Sequence, residues 1–360
     1  SYVSICPYCL NPIEKGSKDH IFPYFLGGHR RIPACKQCND LFGHTFEAAT
    51  ARILQPFHLS ISSWGLQTPD TPIWRFGHAD DKGRKVDLIT TENGPRVRLS
   101  TPEVNRDEYG QIVSGFARDM KEAQQIAKEI EKTGKFKEVA IEERPLAVDF
   151  GTLQTLTNFG PELRRTVLKM CRSLSTLMPG FDPHKTVAIG KLLRNMSLSL
   201  GTRTYLDLRT HEALDCLCTP LAHVIYVEFG RDYAYGIVQF FGHDQLFCKL
   251  FDSPTNDPRA MLATLDPVTQ SEKFIETAPL GIAVPRILLK TEEMKVAAFV
   301  KMEKLRKAAI ARGAKNIPNA QHLGFIASSQ SMFLLVSSTT ERTVFICCSN
   351  TLDWYLGRHL

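Results

Sequence analysis

The chain has 360 residues, of which 43% are hydrophobic and 23% are charged, and its net charge is +6. These proportions are typical of a folded globular protein and exclude a disordered, fibrous or collagen-like chain. The length predicts two or three domains, because one domain takes about 150 residues. The mildly basic charge permits a polyanionic partner but does not require one.

Three features bear on the compartment. The N-terminal residues lack the basic-then-apolar order of a secretion signal. The most apolar stretch, residues 220–251, is interrupted by Glu228, Arg231, Asp232 and Asp244, so it predicts successive strands and not a membrane span of about 20 apolar residues. The ten cysteines are too few and too clustered for a disulfide scaffold. We therefore expect a reducing, cytoplasmic location without membrane contact.

Four cysteines near the start of the chain are spaced as zinc ligands. The pairs Cys6/Cys9 and Cys35/Cys38 are each Cys-x-x-Cys, and 25 residues separate them. Four thiolates fill the tetrahedral shell of zinc and leave no open position, so this zinc would be structural. It would hold together a segment that is too small to have much core of its own. Redox-active pairs are the alternative interpretation.

The residues between and after the two pairs are suited to chemistry. Asp19 and His20 are adjacent within the insert, and Asn39 directly follows Cys38. Asp and Asn oxygens suit Mg²⁺ or Mn²⁺ better than zinc, so Asp19 and Asn39 are predicted to hold a second, open metal site. His20, neutral near pH 7, would remove a proton from an attacking water. Phosphodiester hydrolysis uses this combination of a metal and a base.

The run "DHIFP…LGG…CKQCND" resembles the HNH endonucleases, in particular a zinc-stapled subgroup. The order of the motifs is also similar to the endonuclease VII type of junction resolvase. The resemblance covers about residues 4–50. It implies a ββα-metal finger that cuts DNA, with Asp19 and Asn39 as ligands of the catalytic Mg²⁺ or Mn²⁺ and His20 as the general base. The implied ligands of the structural Zn²⁺ are Cys6, Cys9, Cys35 and Cys38.

Two positions depart from the family pattern. The asparagine that family members carry on the second strand is Arg30 here. A third metal ligand of many members would fall at Gly43, and His44 lies one residue further, about 100° around a helix. His44 is therefore a candidate ligand, with a surface or DNA-contacting histidine as the alternative. His29, Arg30 and Arg31 are candidates for binding the phosphates beside the scissile one, or they form a polar loop tip.

Apolar residues at helical spacing predict a helix after Cys38 that Pro56 ends. The finger's small core is predicted to contain four phenylalanines: Phe22, Phe25, Phe42 and Phe46.

Residues 59–150 are predicted to form a small α+β domain. Three strand-like runs, separated by turn sequences, come first: 71–78, 84–92 and 95–104. An amphipathic helix over 117–135 ends at Gly134, and a further strand is expected over 136–143.

Residues 151–360 are predicted to form a mixed α/β domain that binds the substrate or regulates the cut. Two glycine-terminated helices lie over 160–180 and 184–201, and strands follow over 221–252. A helix is expected over 292–312, and strand-like runs lie at 333–338 and 343–348. No internal repeat is present.

Basic residues concentrate over 161–210, where nine stand against three acidic residues. Either these are solvated helix faces, or they bind a nucleic-acid backbone, where each neutralised phosphate adds affinity. On the second interpretation the predicted nucleic-acid contacts are Arg164, Arg165, Lys169 and Arg172.

Other histidines and cysteines have simpler explanations. His223 and His243 lie in apolar strand-like segments and are predicted to be packed, not catalytic. Cys347 and Cys348 are predicted core thiols. No partners at ligand spacing accompany the pair Cys216 and Cys218.

The sequence thus predicts an α+β protein, a small zinc-stapled ββα-metal finger (1–58) followed by a larger mixed α/β region divided into 59–150 and 151–360. Its predicted activity is that of a metal-dependent DNA endonuclease, and the residues do not distinguish DNA from RNA. A non-catalytic zinc-finger module, which binds nucleic acid or acts as an adaptor, is the rival class. A third interpretation places the nuclease under control of the C-terminal region, as in restriction or phage defence. Double-strand breaks would require a homodimer or two successive nicks.

Overall fold

The structure is a computed structural model that describes residues 5–13, 17–63, 65–66, 75–79, 85–91, 94–133, 139–141, 160–201, 203–207, 211–242, 244–252, 255–285, 307–314, 327–328 and 331–332. Among these residues, no helix is both long and apolar enough to cross a membrane. Several predicted features lie outside the described residues: Gly134, His243, Cys347, Cys348 and the strand-like runs at 333–338 and 343–348.

The N-terminal finger has the predicted ββα order. Strand β1 (Lys18–His20) pairs antiparallel with strand β2 (Arg31–Pro33). Helix α1 (Lys36–Phe42) follows, and a π-helical turn (Gly43–Glu47) joins it without a break to helix α2 (Ala48–Ser63). With its cysteine cluster, this finger and the larger mixed region beyond it confirm the predicted fold class.

Helix α2 continues through Pro56, so the prediction that this proline ends the helix is wrong. A proline inside a helix removes one main-chain hydrogen bond and costs about 3 kcal/mol. Leu54 and His58, on either side of it, are both buried. Burial of this helix face offsets the lost hydrogen bond, and sequence reading alone could not weigh that burial.

The next unit holds the predicted strands and helix. Strands β3 (Arg75–Ala79), β4 (Lys85–Thr91) and β5 (Gly94–Leu99) form an antiparallel sheet in sequence order. Strands β6 (Glu103–Arg106) and β7 (Ile112–Phe116) form a separate hairpin.

Helix α3 (Met120–Lys132) begins with a reciprocal cap. The Asp119 carboxylate accepts from the Glu122 N–H at 2.9 Å, and the Glu122 carboxylate accepts from the Arg118 N–H at 2.8 Å. The first bond satisfies a main-chain donor that the first helical turn leaves free, and the second ties the residue before the cap to the helix. The strand expected over 136–143 is absent from its described part, residues 139–141.

The third region is built around one six-stranded antiparallel sheet. In spatial order its strands are β13 (Glu272–Thr277), β12 (Arg259–Leu265), β9 (His223–Phe229), β10 (Ala234–Phe240), β11 (Asp244–Phe251) and β8 (Thr204–Leu206). Its helices are α4 (Pro161–Ser175), α5 (Val187–Arg194) and the short α6 (Glu212–Asp215). Beyond the sheet, residues 307–311 are helical and strands β14 (Ala327–Ser328) and β15 (Ser331–Met332) pair.

Helix α4 is the middle layer between the sheet and the finger. On one side it packs across strands β9–β12, where the Cys171 thiol approaches Gly236 so closely that an added Cβ there would lie 2.4 Å from the sulfur. On its other side it contacts the π-helical turn and helix α2 of the finger. A single hydrophobic core runs from Phe42 of the finger through Leu168 of α4 to Val238 of the sheet. The finger therefore shares its core with the third region.

Candidate metal centre and nuclease site

The four predicted zinc ligands come together. The Sγ atoms of Cys6, Cys9, Cys35 and Cys38 all lie within 4.8 Å of one another, and Cys9 Sγ is 3.7 Å from Cys35 Sγ. Tetrahedral zinc with Zn–S bonds of about 2.3 Å requires sulfurs about 3.8 Å apart, so the cluster fits zinc. Among the described residues, this is the one group of His, Cys, Asp and Glu side chains with metal-binding geometry.

The surroundings of these cysteines favour the thiolate form, which is the form that binds a metal. Cys35 caps helix α1, and its sulfur accepts from the Cys38 N–H at 3.4 Å. Helix N-termini and N–H donors favour the thiolate over the thiol. The pKa of Cys6 is lowered to about 4, first by its hydrogen bond with Cys38. The zinc cluster therefore fixes the start of helix α1, on which Asn39 lies.

Asp19 is buried, and both of its carboxylate oxygens have partners inside the protein. Its side chain is 2% exposed. Oδ1 lies 2.8 Å from the Nζ of Lys169 on helix α4. Oδ2 accepts a short hydrogen bond from the Tyr8 hydroxyl, which also pairs with the Ser173 hydroxyl at 2.7 Å. The candidate metal ligand is thus held by side chains from both the zinc knuckle and helix α4.

Glu47 is a site residue that sequence reasoning missed. Its Oε1 lies 2.9 Å from Lys169 Nζ, so Lys169 bridges two carboxylates, those of Asp19 and Glu47. Burial raises the pKa of Glu47, Lys169 opposes that rise, and Asp19 adds to it. Glu47 lies eight residues after Asn39, and the π-helical turn sets its direction. Only the π-helical turn, a local departure from α-helical geometry, could have indicated that Glu47 lies near Asp19.

His20 is half-buried and neutral. Its pKa is lowered to about 4 by burial, by Arg31 and by Lys169. Its Nε2 accepts from Arg31 Nε at 2.9 Å, so the ring carries its proton on Nδ1. The ring also lies against Tyr24, with centroids 5.8 Å apart, and Tyr24 is 74% exposed. Tyr24, an exposed aromatic beside the candidate base His20, is a second residue that sequence reasoning missed.

The two remaining candidate ligands differ in position. Asn39 lies on helix α1 and is partly exposed, and no hydrogen bond to its side chain occurs within the described part of the chain. His44 lies in the π-helical turn and is exposed. The structure does not bring His44 into the cluster of four cysteines.

The loop between β1 and β2 carries the predicted phosphate contacts. His29, Arg30 and Arg31 are all exposed. The main-chain N–H groups of His29 and Arg30 donate to the two carboxylate oxygens of Glu272 on β13, at 2.9 and 2.7 Å. The edge of the six-stranded sheet therefore holds the loop and leaves these three side chains facing outward.

The prediction that helix α4 contacts nucleic acid is wrong for three of its four residues. Lys169 and Arg172 are fully buried and Arg165 is 3% exposed, so these side chains cannot meet phosphates. Arg172 donates to the Pro7 carbonyl at 2.5 Å, and its guanidinium lies 4.5 Å from the centre of the Phe181 ring.

Arg164 and Arg165 also satisfy carbonyls of the protein itself. Arg165 donates to the carbonyl oxygens of Leu192 and Leu198, at 3.2 and 2.6 Å, and Arg164 donates to that of Gly201 at 2.6 Å. The basic residues Arg165, Lys169 and Arg172 are thus internal anchors. Other members of the basic stretch, Lys185, Lys191 and Arg194, are exposed.

Several simpler predictions are confirmed. Phe22, Phe42 and Phe46 are fully buried and Phe25 packs against the same core. His223 is buried in strand β9.

These features define a zinc-stapled ββα finger with an Asp-His pair on its first strand. Residues 6–55 match a family model described as HNH endonuclease, which confirms the resemblance for this part of the chain. No match was found among curated proteins or among solved structures.

Proposed function

We propose that the protein is a metal-dependent endonuclease that hydrolyses DNA phosphodiester bonds. The observation that supports this most is the arrangement of the finger. The cluster of four cysteines anchors the helix that carries Asn39, and the strand that carries Asp19 and His20 packs against the same helix, within the segment that matches the HNH family. In this proposal Asp19 and Asn39 hold the metal and His20 is the general base.

The donor set suits a hard divalent cation. A carboxylate offers about four acceptor positions, of which Asp19 uses two for Lys169 and Tyr8. Asn39 adds an amide oxygen on a partly exposed helix position. Mg²⁺ or Mn²⁺ held there would stabilise negative charge on the phosphate and on the leaving oxygen.

His20 would supply the base through its Nε2 atom. Burial and the neighbouring cations keep the ring neutral well below pH 7, so a lone pair is available. In the absence of substrate that lone pair accepts from Arg31, whose side chain is exposed. We infer that Arg31 turns to a phosphate when DNA binds, and that Nε2 is then free to take the proton of the attacking water.

The substrate assignment rests on the loop and the charge of the chain. Exposed His29, Arg30 and Arg31 suit contacts with phosphates, and exposed Tyr24 beside His20 suits stacking with an unpaired base. The third region would select the target or regulate the cut, because a finger of this size makes few base contacts. A role in restriction or phage defence would appear as toxicity on overexpression that His20→Ala relieves.

One observation favours the rival function, a zinc module that does not cut. Asp19 is 2% exposed and both of its oxygens are bonded within the protein, as in a purely structural ion pair. On this view Asp19 anchors the finger to helix α4, and the exposed loop binds nucleic acid or a partner protein.

A plasmid-nicking assay with Mg²⁺ or Mn²⁺ separates the two functions. We expect nicking by the wild type, loss of nicking in His20→Ala and Asn39→Ala, and retention in Gln37→Ala, an exposed position on the same finger. Asn39→Ala tests the metal more cleanly than Asp19→Ala, because the latter would leave buried Lys169 short of a partner. Zinc content must be unchanged in each variant. No nicking of plain, modified or branched DNA by the wild type would favour the rival.

A further inference from the structure

The Lys169 ammonium is buried at the junction between helix α4 and the finger. It lies 2.8 Å from Asp19 Oδ1, 2.9 Å from Glu47 Oε1 and 2.6 Å from the His20 carbonyl oxygen. An ammonium has three N–H donors, and each has an acceptor here. Its side chain is completely buried, so water replaces none of these partners.

The ammonium lies between two carboxylates, those of Asp19 and Glu47, which neutralise its charge away from water. The fixed cation therefore binds the carboxylate of one candidate site residue, Asp19, and the main chain of the next, His20.

The second oxygen of Asp19 is also held from helix α4, through Tyr8. The Tyr8 hydroxyl donates to Oδ2 and pairs with Ser173 Oγ, which lies one helical turn after Lys169. The Asp19 carboxylate is thus fixed on both sides by neighbouring positions of α4. Arg172, on the same face, donates to the carbonyl of Pro7, next to Tyr8.

We propose that Lys169 is a positioning residue of the nuclease centre, which it completes from outside the HNH finger by orienting the Asp19 carboxylate and the His20 main chain. The inference rests on the proposed nuclease function. A motif that ends near residue 55 would then be insufficient for cutting, because a residue more than a hundred positions further along the chain sets the geometry of its metal ligand and base.

The test compares Lys169→Met with Arg165→Met in the full-length protein. Both variants remove a buried cation from helix α4, but Arg165 contacts carbonyls of α5 and of the segment after it and not the finger. Nicking rates over a range of Mn²⁺ concentrations give the saturating rate and the half-saturating concentration. Electron paramagnetic resonance gives Mn²⁺ affinity independently of activity, and zinc content and melting temperature report folding.

We expect Lys169→Met to lower the saturating rate about tenfold to a hundredfold, the range that small misplacements of reacting groups produce. Mn²⁺ should bind at least as tightly as to the wild type, because a positive charge beside Asp19 is lost. Arg165→Met should keep the saturating rate per folded molecule. A merely structural role of Lys169 would not lower the saturating rate while leaving Mn²⁺ affinity unchanged or higher.

Three results would overturn the inference in distinguishable ways. An unchanged saturating rate in Lys169→Met would show that Lys169 is only a structural anchor. A higher rate together with tighter Mn²⁺ binding would show that its ammonium competes with the metal. Absence of nicking by the wild type would remove the proposed function itself, and the positioning role with it.

A second variant covers the case in which Lys169→Met does not fold. Glu47→Gln keeps the shape of the side chain and weakens its hold on Lys169, so we expect a smaller fall in the saturating rate with zinc retained. If Glu47→Gln keeps the full wild-type rate while Lys169→Met fails to fold, Lys169 serves folding and the inference is wrong.

Discussion

The buried histidine of strand β9 makes the fold sensitive to acid. The pKa of His223 is lowered from 6.5 to about 3 by burial, against a smaller opposing effect of Asp266. Its ring packs on Phe241, with centroids 4.3 Å apart, and His58 of helix α2 packs on the same ring at 5.0 Å. The two imidazoles therefore lie where the finger meets the sheet. Burial also lowers the pKa of His58.

The sign and size of the effect follow from this shift. In the unfolded chain His223 binds a proton near pH 6.5, but in the folded protein it binds one only near pH 3. Its contribution to stability is therefore complete above pH 6.5 and is lost progressively as the pH falls towards 3. The whole shift corresponds to about 5 kcal/mol, and about 2 kcal/mol of it is lost by about pH 5.

Urea unfolding at about pH 7.5 and about pH 5 gives the free energy of unfolding at each pH, and the difference is the stability lost on acidification. In His223→Leu this difference should be smaller than in the wild type by about 2 kcal/mol. Carboxylates that titrate in the same range act equally in both proteins and cancel in the difference. His44→Gln, at an exposed position, should keep the wild-type pH dependence. If His223→Leu loses as much stability as the wild type between the two pH values, the reasoning is refuted.

Three further predictions concern the finger. Cys35→Ser should abolish zinc binding and lower the melting temperature sharply, because structural zinc contributes on the order of 10 kcal/mol to small fingers. Cys216→Ser, at an exposed cysteine, is the control and should retain zinc. Equal zinc content in the two variants by metal analysis would contradict the site. Gly28→Ala should destabilise the protein by about 3 kcal/mol or more, because the new Cβ would lie 1.9 Å from the Phe22 carbonyl oxygen. Gly43 has helical φ and ψ, and a Cβ added there would meet no atom within 4 Å. Gly43→Ala should therefore raise the free energy of unfolding by about 0.5–1 kcal/mol in thermal denaturation. If Gly43→Ala and Gly28→Ala lose the same stability, the close contact at Gly28 is not the cause of the loss.

Local sequence patterns predicted those features of the fold that depend on the spacing of residues close together in the chain. The spacing of the four cysteines predicted a cluster that the structure contains, because a metal's coordination geometry restricts the spacing of its ligands. The amphipathic pattern over 117–135 predicted helix α3. The order of strands in the large sheet was not predictable, since pairing between distant segments leaves no local pattern.

Only the tertiary structure decided what faces the polar side of helix α4. A polar stripe at helical spacing predicts a solvated face, and a sequence does not show that another layer of the protein covers it. The finger covers this stripe, so Lys169 and Arg172 become internal anchors and not a nucleic-acid surface. For the same reason Glu47, which the sequence pattern did not single out, becomes part of the buried cluster around Lys169. The sequence by itself determined the composition of the finger, its zinc ligands and its Asp-His pair. The packing of a distant helix determined which partners hold that pair, because charged groups removed from water must be neutralised by whatever the fold brings within reach.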